Sequence, residues 1–469
     1  MKCRLQSFIL SFTSAFALTL CLFSNASAQT PYTGGAIATD VCCGGGNAIN
    51  AYGDVTGGYY FATARRWSHA FLYTPSSGVI DLGTLGGDYS VGQAINASDE
   101  ITGYSAMVGD AAVHAFLYTP SGGIKDLGTL GGDNSWGLGI NANGEVVGYS
   151  TLPGSTTTHA FLYSGGTMKD LGVLGRGSSM ALAINDSGQM IVWSSGGYFL
   201  YSGGKTTELK IPNGSPQAIN DFGQITGHFL SAGISYAFLY SGGTMTDLEA
   251  GTNSYGWSIN NFSQVVGPAD TGPFLYTPGM GTVQLYSLLP PVCEGGTCFP
   301  WGAPWGPGVD HDSANAINDA GQITGIGVPP KNGFSLPFLL SPVTSPFSAF
   351  QVKLQFIGKS ETHFRLRGSF SLGADSNGFD PLTQPVLLQL GSLPIPIQKG
   401  LFSQDSKGDY VFQGVVGSAA VDFRITPVTR TRFKFRVEGL TAAPFRLTNP
   451  ARFILMIGNN ETMGTLPWR

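Results

Sequence analysis

The amino-acid sequence predicts an all-β protein: a seven-bladed β-propeller followed by an immunoglobulin-like β-sandwich. Three observations carry this. A short phrase built on Ile-Asn occurs seven times, at Asn50, Asn96, Asn141, Asn185, Asn220, Asn260 and Asn318. Each Asn is followed by a Phe-Leu-Tyr or a close variant, at Phe71, Phe116, Phe161, Phe199, Phe238, Phe274 and Phe338. Beyond residue 349 the phrase disappears and alternating strand patterns take over. The Asn spacing of 35 to 58 residues belongs to solenoids, propellers or arrays.

From the N-terminus, Lys2 and Arg4 precede an apolar stretch from Phe8 to Phe23 and then Ala26-Ser27-Ala28. This is the order of a secretory signal peptide, residues 1–28, with cleavage leaving Gln29 first. Cys21 raises a lipoprotein alternative, but Leu20 stands where lipid-modified cysteines want a small residue. No later stretch is apolar and long enough to span a bilayer as a helix. The expected address is therefore secreted or extracellular, with the periplasm as an alternative. The four remaining cysteines, Cys42, Cys43, Cys293 and Cys298, are even in number and suit disulfides in an oxidising compartment. A bridge from the N-terminal pair to the 293–298 loop would staple a ring shut, and a local Cys293–Cys298 bridge is its rival. A zinc site would need further ligands near Cys293 and Cys298.

Residues 29–345 form the repeat domain. Each unit holds four short strands: an Ala-Ile stretch, a run such as Glu145-Val146-Val147-Gly148, the Ala-Phe-Leu-Tyr segment, and a last strand with Asp126-Leu127 or Asp247-Leu248. Such runs between Gly, Asn and Pro leave no room for ordinary helices. The Asn is explained by a turn, since its side chain accepts from N–H groups just ahead, and Gly53, Gly144, Gly188, Gly223 and Gly321 follow three residues later. Pro75, Pro120 and Pro278 at hairpin tips fit radial blades better than solenoid coils.

The phrase His114-Ala115-Phe116-Leu117-Tyr118, then Asp126-Leu127-Gly128-Thr129-Leu130-Gly131-Gly132 and Gly139-Ile140-Asn141-Ala142-Asn143-Gly144, resembles the HAF repeat of bacterial extracellular proteins. The match covers residues 47 to 340. It keeps the His at His69, His114 and His159, whereas Gly197, Tyr236 and Gly272 stand in that place in the next three units. The resemblance implies an exported repeat protein of undefined biochemical role.

The C-terminal domain, 349–469, reads as seven alternating strands after a Pro- and Ser-rich boundary at Ser341 to Ser348. Charge separates the two regions. Residues 29–348 carry 8 Lys and Arg against 21 Asp and Glu, a net of −13, and residues 349–469 carry 14 against 8, a net of +6. Lys353, Arg365, Arg367, Arg424, Arg432, Lys434 and Arg436 should occupy one solvated sheet face, or meet an anionic partner. Export and overall acidity argue against nucleic acid as a partner.

No catalytic constellation stands out, and no cofactor or metal is implied. The best functional candidate is the 293–312 insertion with Trp301, Trp305, Asp310, His311 and Asp312, because propellers commonly work from such loops. The expectation is a non-enzymatic interaction or structural module whose partner is an unknown surface protein or glycan. Two alternatives are a carbohydrate-active hydrolase using that insertion, and a calcium-stabilised adhesin built on Asp88, Asp133 or Asp375.

Overall fold

The computed structural model describes residues 32–37, 42–60, 68–172, 177–278, 280–289, 292–294, 297–299, 312–327, 335–342, 345–346, 349–357, 362–372, 380–382, 386–390, 393–397, 400–416, 419–441, 451–457 and 460–466. The signal segment with Gln29 and Cys21, and also Trp301, Trp305, Asp310, His311 and Asp375, lie outside them. Among the described residues all regular structure is β apart from one short 3-10 turn, Leu285–Leu288.

The repeats fold into seven antiparallel four-stranded sheets. Six are continuous in sequence, over 42–81, 86–126, 135–172, 179–208, 214–247 and 258–284. The seventh has only three strands of its own, Ser313–Ile317, Ile323–Gly327 and Leu336–Pro342. No Asp-Leu segment follows Phe338, so this unit lacks a fourth strand, and Tyr32–Ala36 from the other end of the domain supplies it. Tyr32 pairs with Pro342 and Ala36 with Phe338, and the Tyr32 hydroxyl donates to the Gly321 carbonyl at 2.8 Å. The first strand of each sheet lies against the first strand of the next, and the seventh returns to the first. The result is a closed, propeller-like ring with first strands innermost.

The repeated Asn explains both the hairpin and the ring. In all seven units the Asn N–H and the carbonyl four residues on are bonded, and the amide three residues on donates to the Asn carbonyl. The residue at that third position has positive φ in every unit, including Asp99 (57°) and Ser263 (58°), where Gly is replaced. A left-handed residue at that point turns the strand back on itself at least cost when it is Gly. The Asn side-chain oxygen accepts from the N–H four residues on in every unit. Its side-chain nitrogen donates to the side chain there, an Asp, Glu or Gln.

The same nitrogen also donates to the Asn carbonyl of the next sheet. The series runs Asn50 to Asn96 (3.4 Å), to Asn141 (3.1 Å), to Asn185 (3.5 Å), to Asn220 (2.9 Å), to Asn260 (3.0 Å), to Asn318 (3.0 Å) and back to Asn50 (2.9 Å). This is a closed belt around one end of the ring. Buried Asn carries four hydrogen-bonding positions, and in six of the seven units all four are used, since the N–H two residues on also donates to the Asn side-chain oxygen.

Between neighbouring sheets lie seven small apolar clusters, each anchored by a Phe or an aliphatic pair. Close approach at these seams depends on small residues. A Cβ at Gly92 would stand 2.1 Å from the Thr56 hydroxyl, and one at Gly137 would stand 2.2 Å from that of Thr102.

The C-terminal region is two sheets, five-stranded over 345–346, 386–397 and 451–466, and six-stranded over 349–371 and 403–441. They share one large apolar cluster that includes Phe364, Phe370, Phe423, Phe435, Leu388, Ile395 and Leu455. The sequence reading of seven strands missed the short Ser345–Pro346 and Ser403–Gln404 and also Leu393–Ile397 and Asn460–Leu466. Pro394 and Pro396 disguised Leu393–Ile397, which is an edge strand where missing N–H groups are tolerated.

Candidate functional site

Asn turns at one end of the ring put the beginnings of the first strands and the ends of the second strands at the opposite end. There the residue eight positions after the repeated Asn is aromatic in four consecutive units: Tyr104, Tyr149, Trp193 and His228. Each pairs with a first-strand residue five positions before the Asn, namely Val91, Trp136, Met180 and Ser215. Trp136 stacks on Tyr149 with ring centroids 4.8 Å apart. His228 meets Tyr255 of the next sheet edge-on at 4.7 Å. These side chains are half-buried, so the end is a belt of rings rather than a packed core.

Around the rest of this end the belt opens into a cavity of about 680 Å³. Tyr255, Trp257, Pro268, Asp312, Ser313 and Ser335 line it, beside Gly44, Gly45 and Gly58. Gly58 stands in the first sheet where the others carry Tyr104, Tyr149, Trp193, His228, Pro268 and Ile326, which makes the opening asymmetric. Trp257 is 41% exposed. The chain leaves the sixth sheet and enters the seventh at this same end, so the insertion after Leu289 departs from and returns to the rim of the cavity.

The electrostatics of the cavity are mild. The Tyr286 hydroxyl donates to Asp312 at 2.5 Å, and burial together with that bond holds the phenol far above its ordinary range. Burial pushes His228 below the usual imidazole range, and its Nδ1 has no hydrogen-bond partner among the described residues. Burial and then the Tyr104 hydroxyl raise Tyr149. A neutral His, neutral phenols and one carboxylate among rings suit contact with a polar but uncharged surface.

Of the insertion residues singled out from sequence, only Asp312 is described, and it does reach the cavity. The three repeated histidines do not come together. Each pairs instead with the Asp of its own fourth strand: His69 with Asp81 (3.0 Å), His114 with Asp126 (2.9 Å) and His159 with Asp170 (2.9 Å). Each Asp also caps the Gly two residues on. Asp88 lies in the strand Gly86–Ile95 and Asp133 in the bend before Ser135–Ile140, and the Asp88 N–H donates to Asp110. Among the described residues there is no group of three or more His, Cys, Asp or Glu placed to hold a metal ion. Cys293 and Cys298 are directly opposed in a two-stranded ribbon. Cys42 lies in the strand Cys42–Ile49 beside Cys43, and the side chains of all four cysteines fall outside the description.

Sequence reasoning missed the aromatic belt, although its signal was present as an aromatic at a fixed offset from the Asn in four units. It also missed the Asp, Glu or Gln four residues after each Asn, which holds the Asn side chain in place.

Comparison with known proteins adds little beyond architecture. Neither a family profile nor a curated relative matches the chain. Among solved structures the chain is similar to TolB from Acinetobacter baumannii, at 12% identity over 48% of this chain and 65% of that one, with a TM-score of 0.33. It is also similar to a gluconolactonase from Xanthomonas campestris, at 9% over 66% and 88% with a TM-score of 0.35. A prolyl endopeptidase gives 10% over 74% and 57% with a TM-score of 0.37. The chain thus spans less than two thirds of TolB and of the endopeptidase. Likeness at this level carries no argument about activity.

Proposed function

We propose that the protein is an exported seven-bladed β-propeller of the HAF-repeat kind, with an appended immunoglobulin-like sandwich, acting outside the cytoplasm as a non-catalytic interaction module. The observation that carries the reading is the aromatic-lined cavity at the ring end opposite the Asn belt. Half-exposed Trp and Tyr beside Ser and a single carboxylate are what a glycan or a surface protein would meet through ring stacking and a few hydrogen bonds. In the cavity the Asp312 carboxylate accepts from the Tyr286 hydroxyl. No helix of the described residues is long and apolar enough to cross a membrane.

The test is a glycan and purified surface-protein binding screen on the secreted chain, repeated with Trp257→Ala and Tyr255→Ala. Loss of binding by at least tenfold with an unchanged melting temperature supports the reading. Unchanged binding in both variants, or steady cleavage of a bound glycan, contradicts it. Mass spectrometry of the exported protein should find Gln29 at the N-terminus, and Met1 on the mature chain would end the export claim.

A further inference from the structure

The outer face of the six-stranded sheet in the C-terminal region carries a row of four basic residues directly opposite one another on four adjacent strands. Lys353 pairs with Arg367, Arg367 with Arg436, and Arg436 with Arg424. Lys434 and Arg432 extend the row along the strand Arg432–Thr441, with Lys434 opposite Ser369 and Thr426. All point away from the apolar cluster, since the residues between them, Leu354, Leu366, Phe433, Phe435 and Val437, are buried in it.

Like charges directly opposite across a ladder destabilise a sheet. Four in one line are therefore a cost that folding alone does not explain. Part of that charge is answered within the chain. Arg424 donates to Asp405 (2.7 Å) and Asp409 (2.9 Å), and Arg436 donates to Glu438 (2.6 Å). Lys353, Arg367, Lys434 and Arg432 have no ion-pair partner among the described residues. The positive charge left unanswered is that of Lys353, Arg367, Lys434 and Arg432, on three adjacent strands.

We infer that this face binds an extended acidic polysaccharide lying across the strands, with carboxylates of successive sugars meeting successive strands. Neighbouring strands are about 4.8 Å apart, comparable to the length of one sugar ring, so a polymer with one carboxylate per sugar matches the row in register. The unanswered bases are spread over three strands rather than gathered at one point, which suits a polymer better than a small anion. A hollow of about 440 Å³ on the same sheet is lined by His363, Asp422 and Glu438 beyond the row. The charge contrast within the chain, −13 against +6, keeps a polyanion off the repeat domain and directs it here. The inference is independent of the ring cavity.

The probe is polygalacturonate, measured by calorimetry against the full secreted chain at two salt concentrations, with dextran as uncharged control and phosphatidylglycerol vesicles as the lipid control. The expected result is polygalacturonate binding that weakens as salt rises and falls at least tenfold in the triple variant Lys353→Ser, Arg367→Ser, Lys434→Ser. None of the three makes an ion pair among the described residues, so the variant should keep its melting temperature, and a Lys353→Arg control should bind like the wild type. Absence of polygalacturonate binding, equal binding to dextran, tighter binding to vesicles, or unchanged binding by the triple variant would each overturn the inference. Cavity variants such as Trp257→Ala should leave this binding intact, which separates its failure from that of the ring-end reading.

Discussion

The ring and the pair of C-terminal sheets, called the sandwich below for the apolar cluster they share, are both all-β, but they are held together in opposite ways. In the sandwich two sheets close on one apolar cluster rich in Phe, and Phe423 touches Phe402 and Phe435 within it at centroid distances of 5.5 and 6.3 Å. In the ring the apolar contacts among the described residues are divided into seven small seams between seven sheets, and a polar belt of Asn side chains runs through all of them. A single core makes its stability cooperative and local to one place. A ring spreads it over near-equivalent contacts and depends on closure, here by Tyr32–Ala36 and by the Asn318 to Asn50 bond. The same chemistry of short strands can therefore be cemented by oil in one region and by amide hydrogen bonds in the other.

The contrast can be broken most easily in the sandwich. Phe423 is fully buried, and Phe423→Ala should cost about 3–5 kcal/mol, the range for truncating a core Phe. Hydrogen exchange on the full chain should show protection falling across 349–441 while the ring peptides hold. Equal loss in both regions would mean that they do not unfold as separate units.

Next in size is the belt. Asn141→Ala would strand the Asn143 and Glu145 N–H groups and remove the bond to Asn185. The expected loss is about 2 kcal/mol, since an unsatisfied buried group costs about 1–3 kcal/mol. Denaturant unfolding measures it, and a loss confined to binding at unchanged stability would contradict a scaffolding role.

Smaller effects set the two regions against each other in pH. Asp99 is held above the ordinary carboxylate range by burial and then by the nearby Asp54 charge. A raised folded pKa gives stability that is complete below the unfolded value, about 4 for Asp, and is lost as pH rises through the folded one. The ring should therefore gain stability on mild acidification. Asp99→Asn should raise the ring's melting temperature at neutral pH and flatten that dependence, and a lowered melting temperature would refute the assignment.

The sandwich should do the reverse. Hydrogen bonds from Arg436, and then from Arg365 and His363, hold Glu438 down to about 2. A depressed folded pKa gives stability that is present above the unfolded value, 4.5, and lost as pH falls toward 2. Glu438→Gln should remove that acid-side loss by a small amount, because the group is exposed and screened. A variant whose acid titration of stability matches the wild type would show that the network contributes nothing.

Much of the ring was legible in the sequence because its signals repeat. Seven Ile-Asn phrases fixed the number of units, and Pro75, Pro120 and Pro278 do fall in the turns between third and fourth strands. Closure was not legible. The segment Tyr32-Thr-Gly-Gly-Ala36 carries no mark of the repeat, and it becomes a strand only because the seventh unit leaves an edge unpaired. Gly34 fits there through close approach, since a Cβ would stand 2.1 Å from the Leu339 carbonyl oxygen. The aromatic end was hidden for a different reason. Its residues differ in type from unit to unit, Tyr104, Tyr149, Trp193 and His228, so they register as one feature only when counted from the Asn. In the tail, alternation identified the basic face, but only the register aligned Lys353, Arg367, Arg436 and Arg424 into a row.

The central claim is that the ring is closed by a strand from the far end of the repeat domain. Gly35 and Leu339 are paired across that closure, and a Cβ at Gly35 meets nothing within 4 Å. The direct measurement is oxidative cross-linking of the Gly35→Cys, Leu339→Cys variant followed by non-reducing peptide mapping. Rapid formation of one intramolecular bridge between positions 35 and 339 in the monomer is the expected result. Failure to bridge, or bridging only between molecules, would contradict the closed ring.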